Sequence, residues 1–232
     1  MPAWDSLTRL VMTVLLAAGL FGCSTDPVFD IRSIAKTDVD QISEIHLRQV
    51  TGLTRELTRK LYKRNPAQLR KIPGQTIEIR IQQIFQCPAP PSYPEINHTR
   101  GPDAILKGLD PMFDGDRVFA VMYGLYTMVL KSYNDKCELF IPDYLNNQYL
   151  YNSARNIEIL VWRLKVRKDT QGQPLLLTDS FDDPVPNLSF ERIFGKLIAH
   201  QDTMALVVSG RTNRVIREVV QMAGMAFLPV GF

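Results

Sequence analysis

Apolar side chains recur every three or four residues along residues 38–64, and this spacing predicts an amphipathic helix. Acidic residues near its start and basic residues near its end complement the helix dipole. Asn65 and Pro66 end the pattern and introduce a short second helix over residues 67–71. The apolar stripe of the long helix includes one histidine and consists of Val39, Ile42, His46, Val50, Leu53, Leu57 and Leu61.

The segment from Thr76 to Gln86 fits two kinds of periodicity. Isoleucines at positions 77, 79 and 81 alternate as in a strand, whereas the apolar positions 77, 81, 84 and 85 repeat as in a helix. A helix is the favoured prediction for this segment.

The region between Cys87 and Asp116 contains six prolines, which exclude a long regular element. A short turn over residues 104–109 is the exception that the sequence allows. Loops of this length within a domain are often functional. The alternative is a proline-stiffened segment that wraps over the core, and both interpretations stay open.

Residues 116–132 are apolar on nearly every side, which predicts a helix surrounded by other helices. Its side chains include Met122, Tyr123 and Tyr126, which could line a ligand-binding cavity. Aromatic and methionine side chains at helical spacing also fill ordinary cores, and this second interpretation is equally available.

The C-terminal half predicts three further helices. A seam of apolar residues covers residues 142–167, and a second stripe follows residues 189–208 with Ser189 as a possible N-cap and Ser209-Gly210 as its end. Thr212 can cap a final helix that reaches Phe227.

Five or six helices joined by proline-rich loops predict an all-α fold, an irregular helical bundle. Composition agrees, because 45% hydrophobic and 22% charged residues suit one globular core, assigned here to residues 38–232 as a single domain. The formal net charge of +3, from 27 basic and 24 acidic residues, is too small to predict a nucleic-acid partner.

The first 22 residues have the pattern of a secretory signal peptide, in which Arg9 precedes an apolar stretch over residues 10–22. At about 1.5 Å per residue this stretch reaches only about 20 Å as a helix, short of the roughly 30 Å hydrocarbon core. Cleavage therefore fits the segment better than permanent insertion.

The end of this stretch, Leu20-Phe21-Gly22-Cys23, resembles the lipobox of bacterial lipoproteins. The resemblance implies that the thiol of Cys23 receives diacylglycerol, that signal peptidase II cuts before it, and that residues 23–37 tether the domain to a membrane. Ser24, by the sorting pattern of enteric bacteria, implies the periplasmic side of the outer membrane. The alternative is an ordinary signal peptide or a short amphipathic anchor with a chance cysteine.

Cys87 and Cys137 form an even pair once Cys23 is lipidated. In an exported protein such a pair predicts a disulfide, which would hold the proline-rich region against the core. The alternative is two buried free thiols that pack as small apolar groups.

Signatures of metal, nucleotide or nucleophilic chemistry are missing from the sequence. His46, His98 and His200 are far apart and never form an HxxxH pair, so no metal site is predicted. The acidic run over residues 110–116 lacks the ligand positions of a calcium loop. There is no P-loop, no Gly-x-Gly-x-x-Gly and no Gly-x-Ser-x-Gly, so no cofactor and no enzymatic activity are predicted.

A cluster of polar residues within 146–156 stands out, because asparagine is a poor helix former. It could form a recognition surface for a carboxylate or peptidoglycan, or it could form a buried hydrogen-bond network or a solvated face. Its members are Asn146, Asn147, Asn152, Ser153, Arg155 and Asn156.

This polar helix, the apolar C-terminal segment and the export signal together resemble helical envelope lipoproteins of Gram-negative bacteria. The resemblance implies a non-enzymatic, membrane-anchored scaffold or accessory subunit whose partners are other envelope proteins. The alternatives are a carrier that binds an apolar ligand within the bundle and an enzyme of unrecognised type.

Overall fold

The computed structural model describes residues 36–88, 90–141, 143–179, 186–218 and 226–231. The signal peptide, Cys23 and nearly all of the tether predicted above lie outside these residues.

Seven α-helices form within the described ranges, and no strand is present there, so the all-α prediction is confirmed. One short 3₁₀ helix, Pro94–Ile96, lies in the proline-rich region. The helices are α1 (Asp38–Arg64), α2 (Pro66–Leu69), α3 (Ile77–Ile84), α4 (Gly101–Gly108), α5 (Arg117–Ser132), α6 (Asn147–Val166) and α7 (Ser189–Thr212).

Local side-chain hydrogen bonds cap both ends of helix α1. The Thr37 hydroxyl accepts from the backbone N–H of Asp40, and the Asp40 carboxylate accepts from the backbone N–H of Thr37, so a capping box starts the helix. At the other end the Asn65 side-chain amide donates to the Leu61 carbonyl at 2.9 Å. These bonds explain why the predicted helix forms over the predicted residues.

Helix α5 lies at the centre, and nearly all of its side chains are buried. It packs against α1, α3, α4 and α6. Gly124 lets α4 approach closely, because a Cβ atom there would lie only 2.6 Å from the carbonyl oxygen of Gly101. The prediction of a central helix without a polar face is confirmed.

Helix α7 lies against both α6 and α1. Arg155 on α6 forms an ion pair with Asp202 on α7 at 2.6 Å, and Lys165 forms another with Glu191. No helix in the described part of the chain is long and apolar enough to be a membrane span.

Several predicted boundaries in the middle of the chain differ from the observed ones. Helix α4 occupies residues 101–108, so the proline-rich region is more regular than the predicted turn. Helix α6 begins at Asn147 rather than near position 142, because the Asn146 side chain caps it by accepting from the N–H groups of Gln148 and Tyr149.

The boundaries of α7 also differ from the prediction. Ser189 is its first residue and not its N-cap, and the carboxylate of Asp179 accepts from the N–H of Phe190 instead. The helix continues past Gly210 and stops at Asn213, which has a left-handed φ of 51°.

The predicted final helix is wrong over residues 213–218 and 226–227, which are not helical; residues 219–225 lie outside the described ranges. The physical reason is that side chains of α6 bind the backbone groups of this tail, which therefore do not bond to one another within a helix.

Candidate functional site

Met122 and Tyr123, two of the predicted ligand-binding residues, lie in the packed core. Both are fully buried, and the Tyr123 hydroxyl donates to the carbonyl of Pro91 at 2.7 Å. The Tyr123 ring stacks with Phe119 at 5.8 Å between centroids and meets the Tyr93 ring edge-on at 5.4 Å. These contacts fix the proline-rich region to α5, so the two residues stabilise the fold.

Tyr126, the third predicted ligand-binding residue, lines a groove of about 310 Å³ at the surface. We call it the disulfide groove, because the Cys87–Cys137 bond forms part of its wall. The remaining lining residues come from α1, the end of α3 and α5, and they are Leu47, Arg48, Thr51, Gly52, Arg55, Phe85 and Tyr126.

The Cys87–Cys137 disulfide joins the start of the proline-rich region to the segment that follows α5. The two Cα atoms are 6.1 Å apart, within the distance that a disulfide can bridge. The bond therefore holds two segments, separated by 50 positions in the sequence, at the edge of the groove.

One stripe of α1 forms a side of the disulfide groove. Arg48, Thr51, Gly52 and Arg55 have the spacing i, i+3, i+4 and i+7, which places them on one helix face. Gly52 is exposed, and a Cβ atom there would meet no atom within 4 Å. The missing side chain leaves the groove open.

The polar groups of the groove are cationic or uncharged. The Arg55 guanidinium lies 5.0 Å from the centroid of the Phe85 ring and makes one long hydrogen bond, 3.5 Å, to the Phe85 carbonyl. No carboxylate of the described residues lies within salt-bridge distance of Arg55, and Arg48 is 3.9 Å from Glu44. The groove thus presents positive charge beside an apolar floor.

The hydroxyl of Tyr126 makes no hydrogen bond with the described residues, although the residue is only 3% exposed. Its ring contacts Phe85 at 4.8 Å between centroids. Burial raises the pKa of Tyr126, and the nearby Arg55 partly opposes this effect. Tyr126 therefore stays protonated near neutral pH and can donate a hydrogen bond.

The polar cluster on α6 binds the C-terminal tail of the same chain. Gln148 and Asn156 each make two bonds to one tail residue: the side-chain oxygen accepts from the backbone N–H, and the side-chain nitrogen donates to the carbonyl. For Gln148 the partner is Arg217, at 2.9 and 3.1 Å, and for Asn156 it is Leu228, at 2.7 and 2.8 Å.

Asn152 and Asn147 each add a single hydrogen bond to the tail. Asn152 donates to the carbonyl of Pro229 at 2.8 Å, and Asn147 donates to the carbonyl of Arg214 at 2.9 Å. The structure therefore supports the interpretation of this cluster as a hydrogen-bond network, because these amides are occupied by the chain itself.

A buried ionic network connects α1, α3, the 3₁₀ helix and α5. The fully buried Arg80 guanidinium donates to both carboxylate oxygens of Glu95 at 2.7 and 2.8 Å and lies 4.2 Å from the Phe119 ring centroid. Its Nε is 3.2 Å from the Asp116 carboxylate without hydrogen-bond alignment, so this contact is purely ionic. The Tyr62 hydroxyl donates to Asp116 at 2.8 Å.

Burial raises the pKa of Asp116, although its hydrogen bond from the Phe119 backbone and the charge of Arg80 oppose this effect. Burial lowers the pKa of Arg80, but the hydrogen bonds to Glu95 and the nearby acidic groups outweigh burial and leave it raised. The side chains of Arg80 and Asp116 are fully buried, that of Glu95 is 24% exposed, and the geometry of the network indicates a structural role.

His46 on α1 and His200 on α7 form a pair that the sequence did not predict. Their Nδ1 atoms are 3.2 Å apart, and their rings meet edge-on at 5.1 Å between centroids. Burial lowers the pKa of both histidines. The neighbouring His200 lowers that of His46 further, and Lys196 lowers that of His200.

This pair predicts that the protein loses stability below about pH 6.5, the ordinary pKa of histidine. The pKa of each histidine is lower in the folded state than in the unfolded chain, so the unfolded chain binds protons first as the pH falls. The free energy of unfolding therefore decreases as the pH falls below about 6.5. Urea denaturation at pH 7.5 and 5.5 should show a smaller pH effect in His46→Gln than in the natural chain. His98→Gln, an exposed histidine outside the pair, is the control, and an equal reduction in both variants would contradict the prediction.

Within the described ranges, no group of three or more histidine, cysteine or carboxylate side chains is placed to hold a metal ion. Comparisons of the whole chain with known protein families, with curated proteins and with solved structures found no match.

Proposed function

We propose that the protein is a non-enzymatic lipoprotein of the bacterial envelope that acts as a scaffold or accessory subunit. In this proposal Cys23 carries the lipid, residues 23–37 form the tether, and the helical domain faces the periplasm from the outer membrane. Other envelope proteins are its partners.

The observation that carries this proposal is the disulfide between Cys87 and Cys137. Disulfides persist in oxidising compartments such as the periplasm and are rare in the cytosol. A disulfide in the folded domain and a lipobox-like sequence before it are two separate features that agree with export.

The packing of the domain favours a scaffold over a carrier with an internal cavity. Met122 and Tyr123, which would line such a cavity, are fully buried among other side chains. This packing leaves no space beside Met122 and Tyr123 for an apolar ligand. The second candidate is a carrier, and the disulfide groove favours it, with the ligand at the surface instead of within the bundle.

Cell fractionation of a Cys23→Ser variant tests the proposed anchor. The variant should remain unprocessed or leave the membrane fraction, because serine offers no thiol for lipid transfer. Ser24→Ala, which keeps the thiol, is the matched control and should stay in the membrane fraction. The anchor is contradicted if Cys23→Ser has the same size and the same membrane association as the natural chain.

Crosslinking in intact envelopes tests the scaffold itself. The natural chain should form defined crosslinked species with envelope proteins, and Cys23→Ser should lose them because its domain is no longer held at the outer membrane by a lipid. Identical crosslinked species from both chains would contradict a scaffold that depends on the anchor.

A further inference from the structure

The geometry points to a ligand site in the disulfide groove, and we propose that it binds a carboxylate with a single apolar chain. This site does not depend on the lipid at Cys23, so it can be tested separately from the proposed anchor.

The floor of the groove suits the apolar chain of such a ligand. Leu47, Phe85 and Tyr126 are buried core residues that show one side to the groove, and the disulfide adds an apolar edge. Burying an apolar chain against these surfaces removes it from water, which is the main driving force for binding of this kind.

The rim of the groove suits the carboxylate. Arg55 offers a planar guanidinium whose protein contacts are one long hydrogen bond and the face of Phe85, and a carboxylate is the anion that pairs with it through two bonds. Arg48 adds a second positive charge on the same helix face and is largely exposed. A positively charged ligand would be repelled by both side chains.

Tyr126 offers a hydrogen-bond donor to a ligand in the groove. Its hydroxyl has no hydrogen-bond partner among the described residues, and its oxygen is accessible to solvent rather than buried. Arg55 lines the same groove, so a carboxylate bound there has both a guanidinium and a hydroxyl among the lining groups.

Gly52 keeps the groove open beside α1. No atom lies within 4 Å of a Cβ position there, so a larger side chain at this position would extend into the groove.

The size of the groove suits a ligand with one short chain. Its volume of about 310 Å³ lies at the lower end of the range for small-molecule sites, which is roughly 300–1,000 Å³. A medium-chain fatty acid has dimensions that suit this volume.

Photoaffinity labelling of the full chain in isolated envelopes tests the proposal, with a diazirine derivative of decanoic acid as the probe. Mass spectrometry should locate the label on α1 near Gly52 or beside Tyr126. Decanoate should compete with the probe, and decyltrimethylammonium, which has the same chain and the opposite charge, should not.

Two variants separate the contributions of space and charge. Gly52→Leu fills the groove without a clash and should reduce labelling by about tenfold or more. Gly195→Leu, at a helical glycine on α7 with the same free space, is the matched control and should label like the natural chain. Arg55→Gln should remove the preference for decanoate over decyltrimethylammonium as competitor.

The proposal is overturned if the natural chain is not labelled in the groove or if both competitors act equally on it. It is also overturned if Gly52→Leu is labelled as strongly as Gly195→Leu.

Discussion

Replacing Arg80 with methionine should lower the free energy of unfolding by about 3–5 kcal/mol, the usual effect of removing one partner of a buried ion pair. Methionine keeps much of the apolar volume of the side chain but leaves Asp116 as a buried carboxylate without its cation. Glu95 loses both hydrogen bonds from the guanidinium in the same step. Urea denaturation followed by circular dichroism measures the change.

Arg59→Met is the matched control, because Arg59 makes a similar two-bond contact with Glu78 at the surface. Exposed ion pairs contribute roughly 0–1 kcal/mol, so this variant should be close to the natural chain. Adding Glu95→Gln and Asp116→Asn to Arg80→Met should recover part of the loss, since the uncompensated charges are then gone. Equal effects of Arg80→Met and Arg59→Met would refute a stabilising role of the buried network.

Removing the disulfide with Cys87→Ala and Cys137→Ala together should lower the free energy of unfolding by about 4 kcal/mol. This figure is the loop-entropy estimate for a crosslink between residues 50 positions apart. The native contacts of the groove wall stay in place, so the effect arises mainly in the unfolded chain. Chemical denaturation of the natural chain and the double variant measures the difference.

Reducing agent provides the control for this prediction. It should destabilise the natural chain and leave the double variant unchanged, because only the natural chain has the bond to lose. Thiol labelling of denatured, unreduced protein should find neither Cys87 nor Cys137 reactive. Labelling of both cysteines would contradict the disulfide directly.

The long helices were predictable because their signals are local. Residues 38–64 carry an apolar stripe on one face, and residues 117–132 are apolar on nearly all sides. Each pattern lies within a single segment, so it can be recognised without knowing the rest of the fold. These patterns did not show that Met122 and Tyr123 lie in the packed core while Tyr126 lines a groove. An all-round apolar helix does not show which of its faces meets a groove.

The tail was mispredicted because its structure depends on distant residues. The apolar spacing beyond Thr212 is typical of a helix, but Gln148 and Asn156 bind backbone groups about 70 positions away. The unusual asparagines of α6 were the available signal, but they were consistent with a recognition surface, a hydrogen-bond network and a solvated face. Tertiary hydrogen bonds thus outweighed local helix preference.

The side-chain contacts between α1 and distant parts of the chain were not predictable for the same reason. His46 and His200 are 154 positions apart, and Arg80 gave no sign of burial in a segment with two possible periodicities. Gly52 was not a usable signal for the disulfide groove, because Gly195 and Gly210 also lie within a helix with free space around them. Neither Arg55 nor Phe85 could be placed beside Gly52 without the packing of α1 against α3.

Mass spectrometry of the mature protein, purified from the membrane fraction, tests lipidation at Cys23. We expect an N-terminus at Cys23 that carries diacylglycerol, with residues 1–22 removed. An intact chain that begins at Met1 and contains an unmodified Cys23 would contradict it.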